Sequence, residues 1–307
     1  MSGPLAFLVL AHDDPAMLRR LCERLSPHPT YVHIDAKAQD MGADILADMP
    51  HVTVASHRHA IDWAGYAMVE ATLDLLELAR KDGLARHTLL ISGHCYPIRP
   101  VADLAGMLAG MQGEDVIQMV RVGPDSVLRG LVGRHWRQRP FLSHRTRARH
   151  RFAARADDLA RRIRNRIARS IGRRFEDEVA FDLYHGASWW ALSAETVATV
   201  LDAHAADPQL GQALRTGFAP DELFFQTMIA AGPRAGHQHG PDEDKGGDNI
   251  YDAPLVLVRK GNARWMRDDA ETRKAIASTD RFFARKIASR DAGLLDWIDR
   301  ERLRIAA

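Results

Sequence analysis

The sequence predicts an α/β protein with a mainly parallel sheet flanked by helices, and three observations carry this prediction. Short apolar runs alternate with stretches of helical periodicity through the first half of the chain. With 307 residues, the chain is long enough to bury one large core. Its 46% hydrophobic and 27% charged residues are typical of a globular protein and exclude disorder, collagen and coiled coil.

The elements of the first half follow in order along the chain. Residues 5–11 form the first predicted strand, and Asp14 and Pro15 suit the cap and first turn of the helix that follows at 17–25. The other predicted strands are 31–34, 52–54, 88–91 and 115–120, and the other predicted helices are 68–79 and 103–111. We expect one domain over residues 1–307.

Arginine dominates residues 133–175, which interrupt the alternation as a basic helical insertion. Within the insertion, residues 154–171 have helical periodicity. The apolar positions of one stripe are Leu159, Ile163, Ile167 and Ile171. Either this stripe packs on the domain and the basic face is solvated, or the helix contacts an anionic acceptor or an anionic membrane, whose headgroups suit such a face. The sequence leaves both interpretations open.

The alternation resumes after the insertion. Predicted strands lie at 187–192 and 255–258, and predicted helices at 195–204, 220–230, 270–278 and 294–305. Between them, residues 233–250 are rich in Gly, Pro and Asp, which predicts a mobile polar loop.

Charge and cysteine content narrow the function classes. The 42 Lys and Arg nearly balance the 40 Asp and Glu, so a net charge of +2 predicts no nucleic-acid partner. Two cysteines are too few for a disulfide framework or a four-thiolate zinc site, which indicates a reducing compartment. No apolar run approaches the roughly 20 residues of a membrane span. We expect a cytoplasmic protein, or one held peripherally at the inner membrane by the basic helix.

Polar residues follow four predicted strands, at the edge where open α/β sheets bind ligands. They are His12 and Asp13, Asp35 and Lys37, His57 to His59, and Ser92 to Cys95. Solvated loop residues would explain any one of these groups, but the set predicts a site. Because GxGxxG and P-loop motifs are absent, side chains would have to bind any phosphate. The absence of a GxSxG motif argues against an α/β-hydrolase.

One cluster resembles a metal site. It comprises His237, His239, Asp242 and Asp244, and we interpret it as solvated loop because no apolar strand precedes it.

Two carboxylates lie at the start of a predicted helix. Asp221 and Glu222 follow Pro220, and compensation of the helix dipole is the simplest explanation of their charge. Beside Trp189 and Trp190, however, such a carboxylate is suited to take a proton from a sugar hydroxyl while indole faces bind sugar rings.

Seven short motifs, in this order, resemble the Core-2/I-branching glycosyltransferases. This family, glycosyltransferase family 14, includes the β-1,6-N-acetylglucosaminyltransferases and the peptide O-xylosyltransferases. The motifs are residues 7–15 (FLVLAHDDP), 31–37 (YVHIDAK), 62–71 (DWAGYAMVEA), 89–98 (LLISGHCYPI), 186–193 (GASWWALS), 220–227 (PDELFFQT) and 283–286 (FARK). The resemblance covers nearly the whole chain outside the insertion and the polar loop.

The resemblance implies a GT-A type nucleotide-sugar fold and an inverting transfer from a UDP-sugar that needs no metal or other cofactor. It makes Glu222 the catalytic base, with Asp221 beside it. The residues implied or suggested for the donor nucleotide are His12, Asp35, Trp63, Arg264, Arg285 and Lys286, of which Arg285 and Lys286 neutralise the diphosphate. The candidate sugar-binding residues are Ser92, Cys95, Trp189 and Trp190.

Two departures from the family pattern leave the substrates open. Cys95 stands where many relatives have Asp, and the loop after the predicted helix at 220–230 has no clear Trp for an acceptor. We expect transfer of N-acetylglucosamine to a hydroxyl of a glycan or glycolipid. The alternatives are transfer of xylose from UDP-xylose and a non-catalytic protein that binds a nucleotide sugar or an anionic glycan.

Overall fold

A seven-stranded central sheet flanked by helices organises the part of the chain that the computed structural model describes, which is residues 4–111, 113–123, 126, 150–170, 182–236, 238–239, 253–259 and 265–305. Its strands are β1 (Leu5–Ala11), β2 (Thr30–Ile34), β3 (Val52–Val54), β4 (His87–Ser92), β6 (Asp115–Val116), β9 (Ala191–Ser193) and β10 (Gln238–His239). The smaller sheets use β5 (Tyr96–Pro97), β7 (Val120–Arg121), β8 (Tyr184–His185), β11 (Val256–Val258) and β12 (Phe283–Arg285).

The helices surround these sheets. They are α1 (Pro15–Leu25), α2 (Ala67–Lys81), α3 (Val101–Gly110), α4 (Arg151–Ser170), α5 (Ala194–Ala206), α6 (Gln209–Leu214), α7 (Phe224–Ala231), α8 (Ala270–Ser278) and α9 (Ala292–Ile298). Short 3-10 turns cover Ala43–Leu46 and Pro220–Glu222, and a π-helical turn, Asp299–Leu303, follows α9. None of the described helices has the length and apolar character needed to cross a bilayer.

The central sheet is mostly parallel, which confirms the predicted class. Its strand order is β10-β6-β9-β4-β1-β2-β3, and β9 runs antiparallel to both of its neighbours. Strand β1 lies between β4 and β2, and all seven of its residues are buried. A continuous apolar run is what a central strand covered on both faces requires.

The residue that caps α1 is hydrogen-bonded to the segment that follows β12. Asp14 has a positive φ of 54°, and its carboxylate accepts a hydrogen bond from the Met17 amide at 3.1 Å, as predicted for the cap. Its other oxygen accepts from the Ser289 amide at 2.8 Å. The segment after β12 is therefore fixed against the loop after β1.

A buried carboxylate anchors the C-terminal helix. Asp299 accepts hydrogen bonds from Arg20 and Arg24 of α1, at 2.7 and 2.6 Å, and from the Tyr96 hydroxyl at 2.7 Å. These partners hold the pKa of Asp299 below its ordinary value, against the effect of burial.

Three predicted elements differ from the structure. Residues 115–120 are not one strand, because β6 and β7 lie in different sheets and the chain crosses between them at residues 117–119. The strand predicted at 187–192 is reduced to β9. The helix predicted at 220–230 begins as a 3-10 turn and becomes α-helical only at Phe224, because Leu223 has non-helical backbone angles.

The basic helix is present as α4. Of its two interpretations, the one in which the apolar stripe packs on the domain is wrong for the described residues. Leu159, Ile163 and Ile167 are exposed, and Ile171 lies outside the described part of the chain. Most of the polar loop predicted at 233–250 also lies outside it.

Candidate functional site

The carboxyl ends of β1, β2 and β4 meet at one edge of the central sheet. Leu10 is paired with His33 of β2 on one side and with Ser92 of β4 on the other. His12 and Asp35, which follow the first two strands, are therefore neighbours of Ser92 at this edge.

His12, Asp13 and His94 form a polar group at this edge. Asp13 Oδ1 lies 2.5 Å from His94 Nε2 and 3.3 Å from His12 Nε2. Burial lowers the pKa of His12; the charges of His94 and Lys286 lower it too, while those of Asp13 and Asp35 oppose the shift. A His12 kept neutral near pH 7 offers one donor and one acceptor, which suits the edge of a nucleobase.

Lys286 is held beside this group by the backbone around it. The Ile287 amide donates to the His94 carbonyl at 3.0 Å, and the Met266 amide donates to the Lys286 carbonyl at 2.8 Å. The Lys286 ammonium lies 5.8 Å from the centroid of the Trp265 ring, and the guanidinium carbon of Arg290 lies 5.0 Å from the same centroid. Two cations, Lys286 and Arg290, therefore lie around the Trp265 indole beside the sheet edge.

Glu222 is positioned by the strand segment that precedes Trp189. Its Oε2 lies 3.2 Å from Nε2 of the buried His185, and its side chain is 23% exposed. The Gly186 amide donates to the Glu222 carbonyl at 3.0 Å. A Cβ at position 186 would lie 1.9 Å from the Gln118 carbonyl oxygen, so only glycine allows this close approach.

The carboxylate of Asp221 is less accessible to solvent than that of Glu222. Its Oδ2 accepts a hydrogen bond from the Ser188 hydroxyl at 2.7 Å, and its buried Oδ1 has no hydrogen-bond partner among the described residues. Burial, and then the adjacent charge of Glu222, raise the pKa of Asp221 to about 6, against the Ser188 hydrogen bond. The two neighbouring carboxylates thus have different environments.

Arg285 links the carboxylates to the sheet edge. Its Nε donates to the Ser92 hydroxyl at 2.8 Å, and its guanidinium carbon lies 4.6 Å from the centroid of the Trp189 ring. Burial lowers the pKa of Arg285, while the nearby acidic groups of Cys95, Asp221 and Glu222 act in the opposite direction. The predicted base and the predicted cation therefore interact electrostatically within one site.

All four predicted sugar-binding residues are buried, with Ser92 at 3%, Cys95 at 0%, Trp189 at 7% and Trp190 at 1% exposed. The ring of Trp190 packs on Phe225 at 5.0 Å, so it belongs to the core and has no face for a sugar. Trp189 belongs to the same core cluster, and the Arg285 guanidinium lies over its ring. Cys95 is fully buried, and burial raises the pKa of its thiol. Its sulfur lies 3.5 Å from Ser92 Oγ, which makes it a support beneath Ser92 in place of a substrate contact.

Three further residues were predicted to bind the nucleotide: Trp63, Asp35 and Arg264. Trp63 is 73% exposed, with its ring 5.7 Å from Phe218 beside the turn that carries the carboxylates. Asp35 is buried and accepts a hydrogen bond from the Lys37 amide at 2.8 Å. Arg264 lies outside the described residues.

Four residues near the site were not predicted: His185, Ser188, Trp265 and Arg290. His185 and Ser188 flank the first residues of the motif at 186–193, so their nearness in sequence could have indicated them. Trp265 contacts Lys286 and Arg290 only through the fold, and no local pattern identifies Trp265 or Arg290.

Two groups of described residues have the donor atoms that transition metals prefer. Within each group, the donor atoms of His12, Asp13 and His94, or of His57, His59 and Asp74, lie within 4.8 Å of one another. In both groups one carboxylate oxygen already contacts two imidazoles, so hydrogen bonding explains the arrangement. The metal-like cluster at 237–244 falls almost entirely outside the described residues.

Comparisons with known proteins agree with the family resemblance. A family model described as "Core-2/I-Branching enzyme" matches residues 5–239. The chain is similar to "Beta-1,3-galactosyl-O-glycosyl-glycoprotein beta-1,6-N-acetylglucosaminyltransferase 4" of Mus musculus, with 19% identity over 233 residues. This match covers 74% of the chain and 47% of the mouse protein, so the chain spans about half the length of this relative.

Solved structures give only weak matches. Mannose-1-phosphate geranyltransferase from Thermus thermophilus matches with a TM-score of 0.32 and 11% identity, covering 73% of this chain and 72% of that one. HddC from Yersinia pseudotuberculosis, complexed with GMP-PN, matches with a TM-score of 0.25 and 16% identity, covering 43% and 64%.

Proposed function

The chain belongs to the Core-2/I-branching enzyme family of glycosyltransferases, and we propose that it transfers a sugar from a UDP-sugar to a hydroxyl of a glycan or glycolipid, with inversion and without a metal. The observation that carries the proposal is the common site of Glu222 and Arg285, a carboxylate and a partly buried cation that interact electrostatically. Inversion needs a base on the acceptor side and positive charge at the leaving diphosphate.

Glu222 is the proposed general base. It takes the proton of the acceptor hydroxyl while that oxygen forms a bond to the anomeric carbon. The bond from this carbon to the diphosphate breaks on the opposite face, and UDP leaves with the electron pair. The contact of Glu222 with His185 fixes one carboxylate oxygen and leaves the other to face the hydroxyl.

Arg285 and Lys286 are the proposed partners of the diphosphate. The Arg285 side chain is already oriented by Ser92 and by the face of Trp189, so little conformational entropy is lost when an anion binds. Lys286 adds a second charge on the side of His12. We assign His12, Asp35 and Trp63 to the uridine, and the buried Trp189 to the support of Arg285.

N-acetylglucosamine is the proposed donor sugar, supported by the name of the mouse relative. Transfer of xylose remains the alternative within the family. A thermal-shift panel of UDP-sugars distinguishes them, because the donor raises the melting temperature by mass action. If no uridine nucleotide raises it, the proposed function is wrong.

Replacement of Glu222 by glutamine is the direct test of the base. We expect the transfer rate to fall about 10²- to 10⁴-fold, the usual contribution of general base catalysis, while the UDP-induced thermal shift is kept. Glu271→Gln, at a side chain that is 80% exposed, is the matched control and should retain full activity. Full activity of Glu222→Gln would exclude Glu222 as the base.

Removal of divalent metal tests the proposed neutralisation of the diphosphate by Arg285 and Lys286. Because Arg285 and Lys286 are assigned to the diphosphate, EDTA is expected to leave the rate unchanged. A strong dependence on Mn²⁺ would instead implicate a metal site, with the group of His12, Asp13 and His94 as the first candidate among the described residues.

A further inference from the structure

Helix α4 is oriented with its apolar stripe toward solvent. Phe152, Leu159, Ile163 and Ile167 are 86%, 58%, 50% and 53% exposed. The opposite face of the same helix carries Asp157 and Asn165, which are 4% and 1% exposed. With 3.6 residues per turn, these two polar residues lie about half a turn around the helix from the stripe. The helix thus buries polar groups and exposes apolar ones, the reverse of an ordinary surface helix.

Arginines border the exposed stripe. Arg155 and Arg162 are exposed and lie four residues before and three residues after Leu159, along one side of the stripe. Neither forms an ion pair with an acidic side chain among the described residues. Of the two acidic residues of α4, Asp157 is buried and Asp158 pairs with Arg161 at 3.7 Å. The exposed face is therefore apolar along its centre and cationic along its border.

We propose that this face of α4 docks on an anionic lipid bilayer. The helix would lie parallel to the membrane, with the four apolar side chains in the headgroup region and the arginines against lipid phosphates. The 20 residues of α4 span about 30 Å along the surface. Charge complementarity selects the lipid surface, because an apolar protein partner would not require a border of arginines. The inference goes beyond the proposed transfer reaction and does not depend on it.

Cosedimentation of the full chain with vesicles tests the proposal. We expect binding to vesicles that contain phosphatidylglycerol, weak binding to pure phosphatidylcholine, and loss of binding as salt is raised. The double variant Leu159→Asp/Ile163→Asp should bind at least about tenfold more weakly, because both side chains lose apolar burial. Arg155→Glu/Arg162→Glu should lose about 25-fold or more, at roughly fivefold per removed arginine.

A matched charge control separates local docking from the overall charge of the protein. Lys81→Glu/Arg300→Glu makes the same change in net charge at exposed positions outside α4, and should change vesicle binding by less than about twofold. Equal loss in this control, or vesicle binding that survives in Leu159→Asp/Ile163→Asp, would overturn the proposal. So would a complete lack of binding to the anionic vesicles.

Two further measurements separate membrane docking from loss of the fold and from self-association. The UDP-induced thermal shift of each variant should equal that of the wild type, which shows that the fold is intact; vesicle binding without any response to UDP would reject the proposed function and leave this inference standing. Sedimentation without lipid should give the same mass for the wild type and for Leu159→Asp/Ile163→Asp. A wild-type oligomer that the variant lacks would assign the stripe to a second copy of the chain and overturn the membrane assignment.

Discussion

The replacement of Asp221 by asparagine should make the protein more stable near neutral pH. Burial and the charge of Glu222 raise the pKa of this carboxyl group from the ordinary value of 3.8 to about 6. The folded chain therefore holds the proton more tightly than the unfolded chain does. This contribution to stability is fully present below pH 3.8 and is lost as the pH rises through about 6.

The size of the effect follows from the two pKa values. The difference between 3.8 and about 6 corresponds to about 3 kcal/mol, at 1.4 kcal/mol for one pKa unit. Because the residue is partly in contact with water, we expect about 1 to 3 kcal/mol. Asparagine is neutral at every pH, and its side-chain oxygen can still accept the hydrogen bond of Ser188.

Urea unfolding at several pH values between about 4 and 7 measures this difference. The gain of Asp221→Asn over the wild type should be near zero at the acidic end and should increase with pH. Asp280→Asn, at a side chain that is 94% exposed, is the control and should stay within about 0.5 kcal/mol of the wild type. A difference that does not change with pH would refute the assigned environment of Asp221.

Three further variants test other parts of the structure. Arg285→Lys should weaken UDP binding about tenfold or more by calorimetry, because lysine cannot both stack on Trp189 and donate to Ser92 as the guanidinium does; unchanged affinity would contradict its role. Trp190→Ala should cost about 3–5 kcal/mol in urea unfolding, as a cavity in the core, and a loss of activity without this destabilisation would restore it to the site. Asp299→Asn should cost about 3–5 kcal/mol, because two arginines lose their shared carboxylate; a neutral effect would show that this anchor is dispensable.

The central strands could be predicted because their burial is evident from the sequence. β1 is a continuous apolar run, β2 and β4 contain shorter apolar stretches, and every residue of the three strands is buried, as expected for strands covered on both faces. The prediction of one strand at residues 115–120 is wrong because this mostly apolar run crosses from one sheet to another. The Asp115 carboxylate accepts hydrogen bonds from the Ser193 amide and the Thr196 hydroxyl, both at 2.7 Å, and these long-range bonds hold the start of the run.

The site could be predicted only in part. Its strand-end residues follow from the fold class, since parallel strands bring their carboxyl ends to one edge. The contact of Arg285 with Ser92 joins residues 193 positions apart, and no local pattern specifies it. The burial of Trp189 and Trp190 in the same core was not predicted either, because indoles serve both in cores and in sugar sites.

The partial burial of Arg285 is informative because removing an isolated cation from water is costly. In the structure its charge is balanced by the carboxylates of Asp221 and Glu222 and by a hydrogen bond to Ser92. In the proposed reaction the guanidinium would bind the diphosphate of the donor while Glu222 faces the acceptor hydroxyl. The same site would thus hold the base and the leaving group on opposite sides of the anomeric carbon, as inversion requires.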